Sequence, residues 1–140
     1  MDTIIGNQFP EKVIPLIENA KKSIEIVVFD WRWYPNDPGS SAQLFNQALV
    51  RAARRGVKIR AIANNDEIIN ILKSVGIEAK KLISKKLLHC KLMIIDDETI
   101  ITGSHNYTQN AFQMNLELSV ILKVGDEVKR FLDFFNNLYG

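Results

Sequence analysis

Two β-branched runs, IEIVVF at residues 24–29 and VKIRAIA at residues 57–63, bracket an apolar stripe of Leu44, Phe45, Ala48, Leu49 and Ala52. The stripe has helical spacing, whereas each run is short, continuous and bounded by polar residues, as strands are. Gly56 provides the stop that the helix needs before the second run. The order strand, helix, strand is a β-α-β unit, and it commits the chain to a sheet with helices packed on it.

The remaining elements continue the alternation. Val13, Leu16, Ile17 and Ala20 give a helix over about Pro10 to Lys22, with Pro15 marking its first turn or a kink. Asp66 can cap a short helix, EIINILKSV, which Gly76 closes, and IEAKKLI is a weak strand after it. LLHCKLMIID reads as a buried strand, Asp97 and Glu98 as a tight turn, and TIITG as the hairpin partner. NYTQNAFQM is a loop or short helix, LELSVILKV a strand, and residues 126–140 an amphipathic helix. About six strands and four helices result, and the expected fold is α/β: a mixed sheet flanked by helices on both faces, in a single domain spanning residues 1–140.

With 46% hydrophobic and 24% charged residues, only seven glycines and four prolines, the composition is that of an ordinary globular chain. The formal charge of +2 is too small to imply a polyanionic partner by itself. Its distribution says more. Lys80, Lys81, Lys85, Lys86 and Lys91 lie in a stretch free of acidic residues, a pattern suited to phosphates. A second cluster, Arg51, Arg54, Arg55, Lys58 and Arg60, is better explained by cations complementing a helix C-terminus. One cysteine, Cys90, and two histidines cannot build a standard structural zinc site. The reading expects no metal, a reducing compartment, a cytoplasmic location and no stable membrane association.

Strand parity then groups the polar residues of the hairpin. His89 and Lys91 fall on one face and Asp96 on the other, and beyond the hairpin Ser104 and Asn106 share a side that His105 does not. Glu117 interrupts an apolar strand and needs a partner if buried. Were it to accept the Nδ1 proton of His89, Nε2 would present a lone pair outward, with Lys91 and Asn106 nearby to meet negative charge. A lone strand histidine is more often a satisfied core residue, and a strand lysine can simply snorkel outward. Four such residues on one face favour chemistry on a phosphate.

The run HCKLMIID at residues 89–96, followed by GSHNYT at residues 103–108, matches H-x-K-x4-D with a downstream G-S-x-N, and resembles the phospholipase D superfamily. It is most similar to the small members with one copy of the motif, which include bacterial endonucleases and a mitochondrial branch. The resemblance implies a metal-independent phosphodiesterase without a cofactor, acting through a phosphohistidine. His89 would be nucleophile or general acid, Lys91 and Asn106 would bind phosphate oxygens, Ser104 would assist, and Glu117 would orient His89. Asp96 and Gly103 complete the motif in structural roles. One motif per chain implies a homodimer with a shared site, although His105 offers an intrachain second histidine that parity argues against.

The loop DWRWYPNDPGSS is longer and more aromatic than the resemblance leads one to expect. Trp31, Trp33 and Tyr34, beside Arg32, can stack on nucleobases, while any single ring can equally close the core or a dimer seam. Together with Lys85 and Lys86 they are the candidate substrate-binding residues. The expected substrate is nucleic acid held without sequence readout. Phospholipid hydrolysis or transphosphatidylation is the alternative enzyme reading, and a nucleic-acid-binding module without turnover is the alternative from another class.

Overall fold

The computed structural model describes residues 1–140. Seven strands form one mixed sheet in the order β1-β7-β6-β5-β2-β3-β4. They are β1 (Asp2–Ile5), β2 (Ser23–Val27), β3 (Lys58–Ala63), β4 (Glu78–Lys81), β5 (Leu92–Ile95), β6 (Thr99–Gly103) and β7 (Leu118–Lys123). Five helices alternate with them: α1 (Gln8–Glu18), α2 (Ser41–Arg54), α3 (Asp66–Ser74), α4 (Gln109–Gln113) and α5 (Val128–Tyr139). β2, β3 and β4 run parallel, and every other pairing is antiparallel.

Alternation along the strands creates two cores. Ile24, Ile26 and Val28 face the larger one, which Phe9 and Val13 of α1, Phe45 and Leu49 of α2, Leu72 of α3 and Phe112 of α4 complete. Val27, Ile62, Ile94 and Ile100 face the smaller one, covered by α5 through the fully buried Phe135. The sheet is thus helical on both faces, as the sequence pattern implies, with four helices on one side and α5 on the other.

Local chemistry fixes the helix starts. Ser40 accepts from the Gln43 N–H at the head of α2, and Thr108 accepts from the Ala111 N–H at the head of α4. At α3 the cap is Asn65, which accepts from the Ile68 N–H, so Asp66 is the first helical residue and not the cap. α1 starts at Gln8 and contains Pro15 in its interior rather than its first turn. The arginines at the end of α2 serve the fold: Arg51 pairs with Glu18, and Arg55 donates to the carbonyls of Ile17 and Ala20.

Two departures from the sequence reading matter. β1 is a seventh strand, four residues long, which acquires its ladder only from the distant β7. The strand read as LLHCKLMIID is paired only over Leu92–Ile95. Leu92 is the last residue opposite both Val27 of β2 and Thr102 of β6. Beyond it the chain after β2 enters the aromatic loop and β6 ends, so His89, Cys90 and Lys91 have no ladder to join.

Strand direction gathers the chain's polar loops at one place. The C-terminal ends of β2, β3, β4 and β6 and the N-terminal ends of β5 and β7 all lie at the same end of the sheet. Residues 28–40, 64–65, 82–91, 104–108 and 115–117 therefore meet there.

Candidate active site

His89 stands exposed on the approach to β5. Its imidazole packs against the Phe29 ring, with centroids 5.1 Å apart and planes tilted by 42°. Lys91 lies over the same ring, Nζ 5.8 Å from its centroid, and Nζ is 3.4 Å from His89 Nδ1. Thr102 Oγ1 donates to the Lys91 carbonyl at 2.7 Å, which keeps this unpaired segment extended beside β6. Phe29, read in the sequence only as the last residue of a strand, is thus the shared platform of the histidine and the lysine. The available signal is a half-buried aromatic at the C-terminal end of a central strand.

Asn106 is held by the loop after β2. Its Oδ1 accepts the Asp30 N–H at 3.0 Å, leaving Nδ2 as a donor. Ser104 is equally constrained, since its Oγ accepts from the Leu118 N–H at 3.0 Å and donates to Glu117 Oε1 at 2.6 Å. Glu117 Oε2 accepts from Asn115 Nδ2 at 3.0 Å. The expected pairing of Glu117 with His89 is absent in the chain. The reason is strand order: β6 separates β7 from β5, so the residues leading into those strands are about 9.6 Å apart by sheet spacing. Ser104, at the end of the intervening strand, takes the carboxylate instead.

Gly103 is demanded by β7. A Cβ there would lie 2.4 Å from the Ser119 Cα and 2.5 Å from the Leu118 carbonyl oxygen. That close approach brings Ser104 and Glu117 together. Asp96 faces away from the site, as parity requires. Its carboxylate accepts the N–H groups of Lys21, Lys22 and Ser23 at 2.7–3.2 Å. Burial pushes the Asp96 carboxyl up, but those three N–H donors and the Lys22 charge outweigh it and hold it below the usual carboxylate range.

His105 belongs to the core. It is 1% exposed, packs against the Phe9 ring at a centroid distance of 4.7 Å, and bonds the Gly6 carbonyl through Nε2 at 2.8 Å and the Ser119 hydroxyl through Nδ1 at 2.7 Å. A carbonyl can only accept, so Nε2 carries the proton and Nδ1 receives the Ser119 O–H. Both ring nitrogens are committed, which removes the intrachain histidine pair.

The aromatic loop divides. Trp31 is 2% exposed and its indole N–H donates to Asn46 Oδ1 at 2.8 Å, so it closes the core and cannot stack on a substrate. Tyr34 is half-buried and its hydroxyl accepts the Gln109 N–H at 2.8 Å, again a structural use. Trp33 is half-buried and lines a groove beside α3, and Arg32 is exposed, its Nε 3.2 Å from Asp30 Oδ1. Lys85 and Lys86 are exposed on the loop entering the site. Cys90 is half-buried outside the ladder, and burial pushes its thiol up.

Residues 13–139 match the family described as "Cardiolipin synthase, PLD-like domain". Among curated relatives, the mitochondrial cardiolipin hydrolase of Mus musculus is 30% identical over 126 residues, covering 86% of this chain and 53% of that protein. The chain spans about half the length of the curated relatives it matches. Two solved structures share the fold. Nuc from Salmonella typhimurium, a phospholipase D family member, superposes with a TM-score of 0.81 at 23% identity, covering 98% of this chain and 93% of the other. NucT from Helicobacter pylori gives 0.77 at 20% identity, covering 97% and 92%.

Proposed function

The chain belongs to the phospholipase D superfamily, and from that premise we propose that it is a metal-independent phosphodiesterase whose substrate is nucleic acid. The observation that carries the reading is the exposed His89 imidazole beside Lys91, at the sheet end that also holds the Asn106 amide and the lysine-bearing loop.

The chemistry follows from those groups. His89 Nε2 attacks phosphorus in line with the leaving oxygen, a P–N bond forms as a P–O bond breaks, and the Lys91 ammonium and Asn106 Nδ2 take up charge on the non-bridging oxygens. The leaving oxygen needs a proton, and His105 is unable to supply it. The donor is the partner's His89 in a homodimer, which then deprotonates the water that opens the phosphohistidine. Met114, Leu116 and Leu118 stand exposed beside Glu117, an apolar rim of the kind a second copy would cover. In the single chain Nδ1 of His89 is met only by Lys91, so the dimer also supplies the acceptor that frees Nε2 for attack.

The test is cleavage of labelled single- and double-stranded DNA and RNA in excess EDTA by wild type and His89→Ala, with light scattering on the same samples. Cleavage by a dimeric wild type alone is expected. A fully active monomer would sink the shared site, and inert nucleic acid beside hydrolysed cardiolipin would sink the nuclease reading. A phospholipid diester is the second reading, favoured by the exposed Ile83 and Leu87 that flank Lys85 and Lys86 and could enter an anionic lipid surface.

A further inference from the structure

A groove of about 540 Å³ opens beside the active site, between the loop after β2 and the first turns of α3. It begins next to the chemistry, because Asp30, one of its walls, holds Asn106 through its backbone N–H, and the preceding Phe29 carries the His89 ring. Its lining is mixed in a definite way. Trp33 and Ile71 supply apolar surface, Arg32 and Asn65 supply donors, and Asp30 and Glu67 supply carboxylate acceptors. Asn65 Oδ1 is already committed to the Ile68 N–H, so its free group is the Nδ2 donor.

Those walls discriminate between parts of a phosphodiester substrate. Arg32 is paired with Asp30, so the Glu67 carboxylate leaves the groove with a net negative charge that disfavours a phosphate, and four polar or charged side chains make a poor bed for an acyl chain. A flat, neutral group with donors and acceptors on its edge satisfies both the indole face and the polar rim. The geometry points to an unpaired nucleobase flanking the scissile phosphate as the occupant of this groove. The inference rests on the nuclease reading and goes beyond it. In a duplex, each base is stacked on both faces and paired along its edge, so only a single strand or an extruded base can enter. The substrate is therefore single-stranded, and the Glu67 carboxylate favours bases with an exocyclic amine, cytosine, adenine or guanine, over thymine or uracil.

The experiment uses labelled oligonucleotides as single strand, as duplex, and as a single-strand series in which one abasic residue is walked along the sequence. Wild type, Trp33→Ala, Trp33→Phe and Glu67→Gln are compared by kcat/KM. Single strand is expected to be cut at least about tenfold faster than duplex, and an abasic residue flanking the cut or Trp33→Ala each to cost about tenfold. Combined, the two are expected to cost no more than either alone, since both remove one contact. Trp33→Phe should recover most of the rate, which separates stacking from a folding defect. The exposed Glu67→Gln should weaken the preference for amine-bearing bases over thymine and uracil without disturbing the core. Equal cutting of duplex and single strand, or losses that multiply, would overturn the groove and leave the nuclease reading standing. No cleavage of any oligonucleotide would overturn both.

Discussion

Asn106 Oδ1 faces the backbone N–H of Asp30 at 3.0 Å, and because an N–H can only donate, the orientation of the carboxamide is settled by the loop after β2. The amide is preorganised before any substrate arrives. Asn106→Ala is expected to lower kcat about a hundredfold, the scale for losing one donor to a developing oxyanion. Asn106→Asp should be worse, since it retains the Asp30 contact but offers no donor and repels phosphate. Steady-state kinetics checks both; a rise in KM with unchanged kcat would assign Asn106 to ground-state binding.

The two histidines should separate cleanly. His89→Ala is expected to remove turnover without loss of stability. His105→Ala should cost about 3 kcal/mol of stability by leaving a cavity and unpaired polar groups, while the folded fraction still turns over. Urea denaturation alongside activity would show this. Burial lowers the His105 pKa, so its contribution is present above about 6.5, the unfolded value, and is lost as pH falls from there through the depressed folded value.

Beneath α5 the sign is opposite. Glu25 is 3% exposed, its Oε1 has no partner, and Arg60 is 3.6 Å from Oε2. Burial, only partly offset by Arg60, pushes the carboxyl up to about 7. The folded state therefore holds this proton more tightly than the unfolded chain, whose value is 4.5. Stability from the neutral form is full below about 4.5 and lost as pH rises through 7, roughly 3 kcal/mol over the window. Glu25→Gln is expected to flatten this component of the stability profile between pH 5 and about 8; an unchanged slope would disprove it.

Asp96 ties the β5–β6 turn to the start of β2. Asp96→Ala should cost about 2 kcal/mol by stripping three N–H groups of their acceptor, with kcat/KM per folded molecule within about twofold of wild type. A large loss of kcat at full stability would instead place Asp96 in the chemistry.

Most of this architecture was legible because it is written in local patterns. The β-branched runs, the stripe of α2 and the Gly56 stop define the β-α-β unit, and parity set Asp96 apart from His89 and Lys91 and His105 apart from Ser104 and Asn106, as the structure has them. What parity could not carry was lateral order. Placing Glu117 beside His89 assumed adjacent strands, whereas β6 lies between them, a fact of long-range pairing that no window of sequence contains. β1 escaped for the same reason, since the four residues Asp2–Ile5 acquire strand character only from β7. Trp31 and Trp33 are chemically alike and two apart, and only the position of Asn46 on α2 decides which ring is drawn inward. The groove escaped because α3 and the aromatic loop are brought together by the sheet and not by proximity in the chain.

The pairing of Asp2 with Ile121 also sets an order of events during synthesis. Asp2–Ile5 leave the ribosome long before β7, yet have no partner until the segment ending in Lys123 has followed. Until that strand is in place, the Glu117 carbonyl lacks the Gly6 N–H that it accepts at 3.0 Å, and His105 Nε2 lacks the Gly6 carbonyl. The end of the sheet that holds His89 is therefore completed by a strand synthesised long before its partner, and a ribosome-bound chain stalled before β7 would carry His89, Lys91 and Asn106 without the Glu117–Ser104 brace behind them.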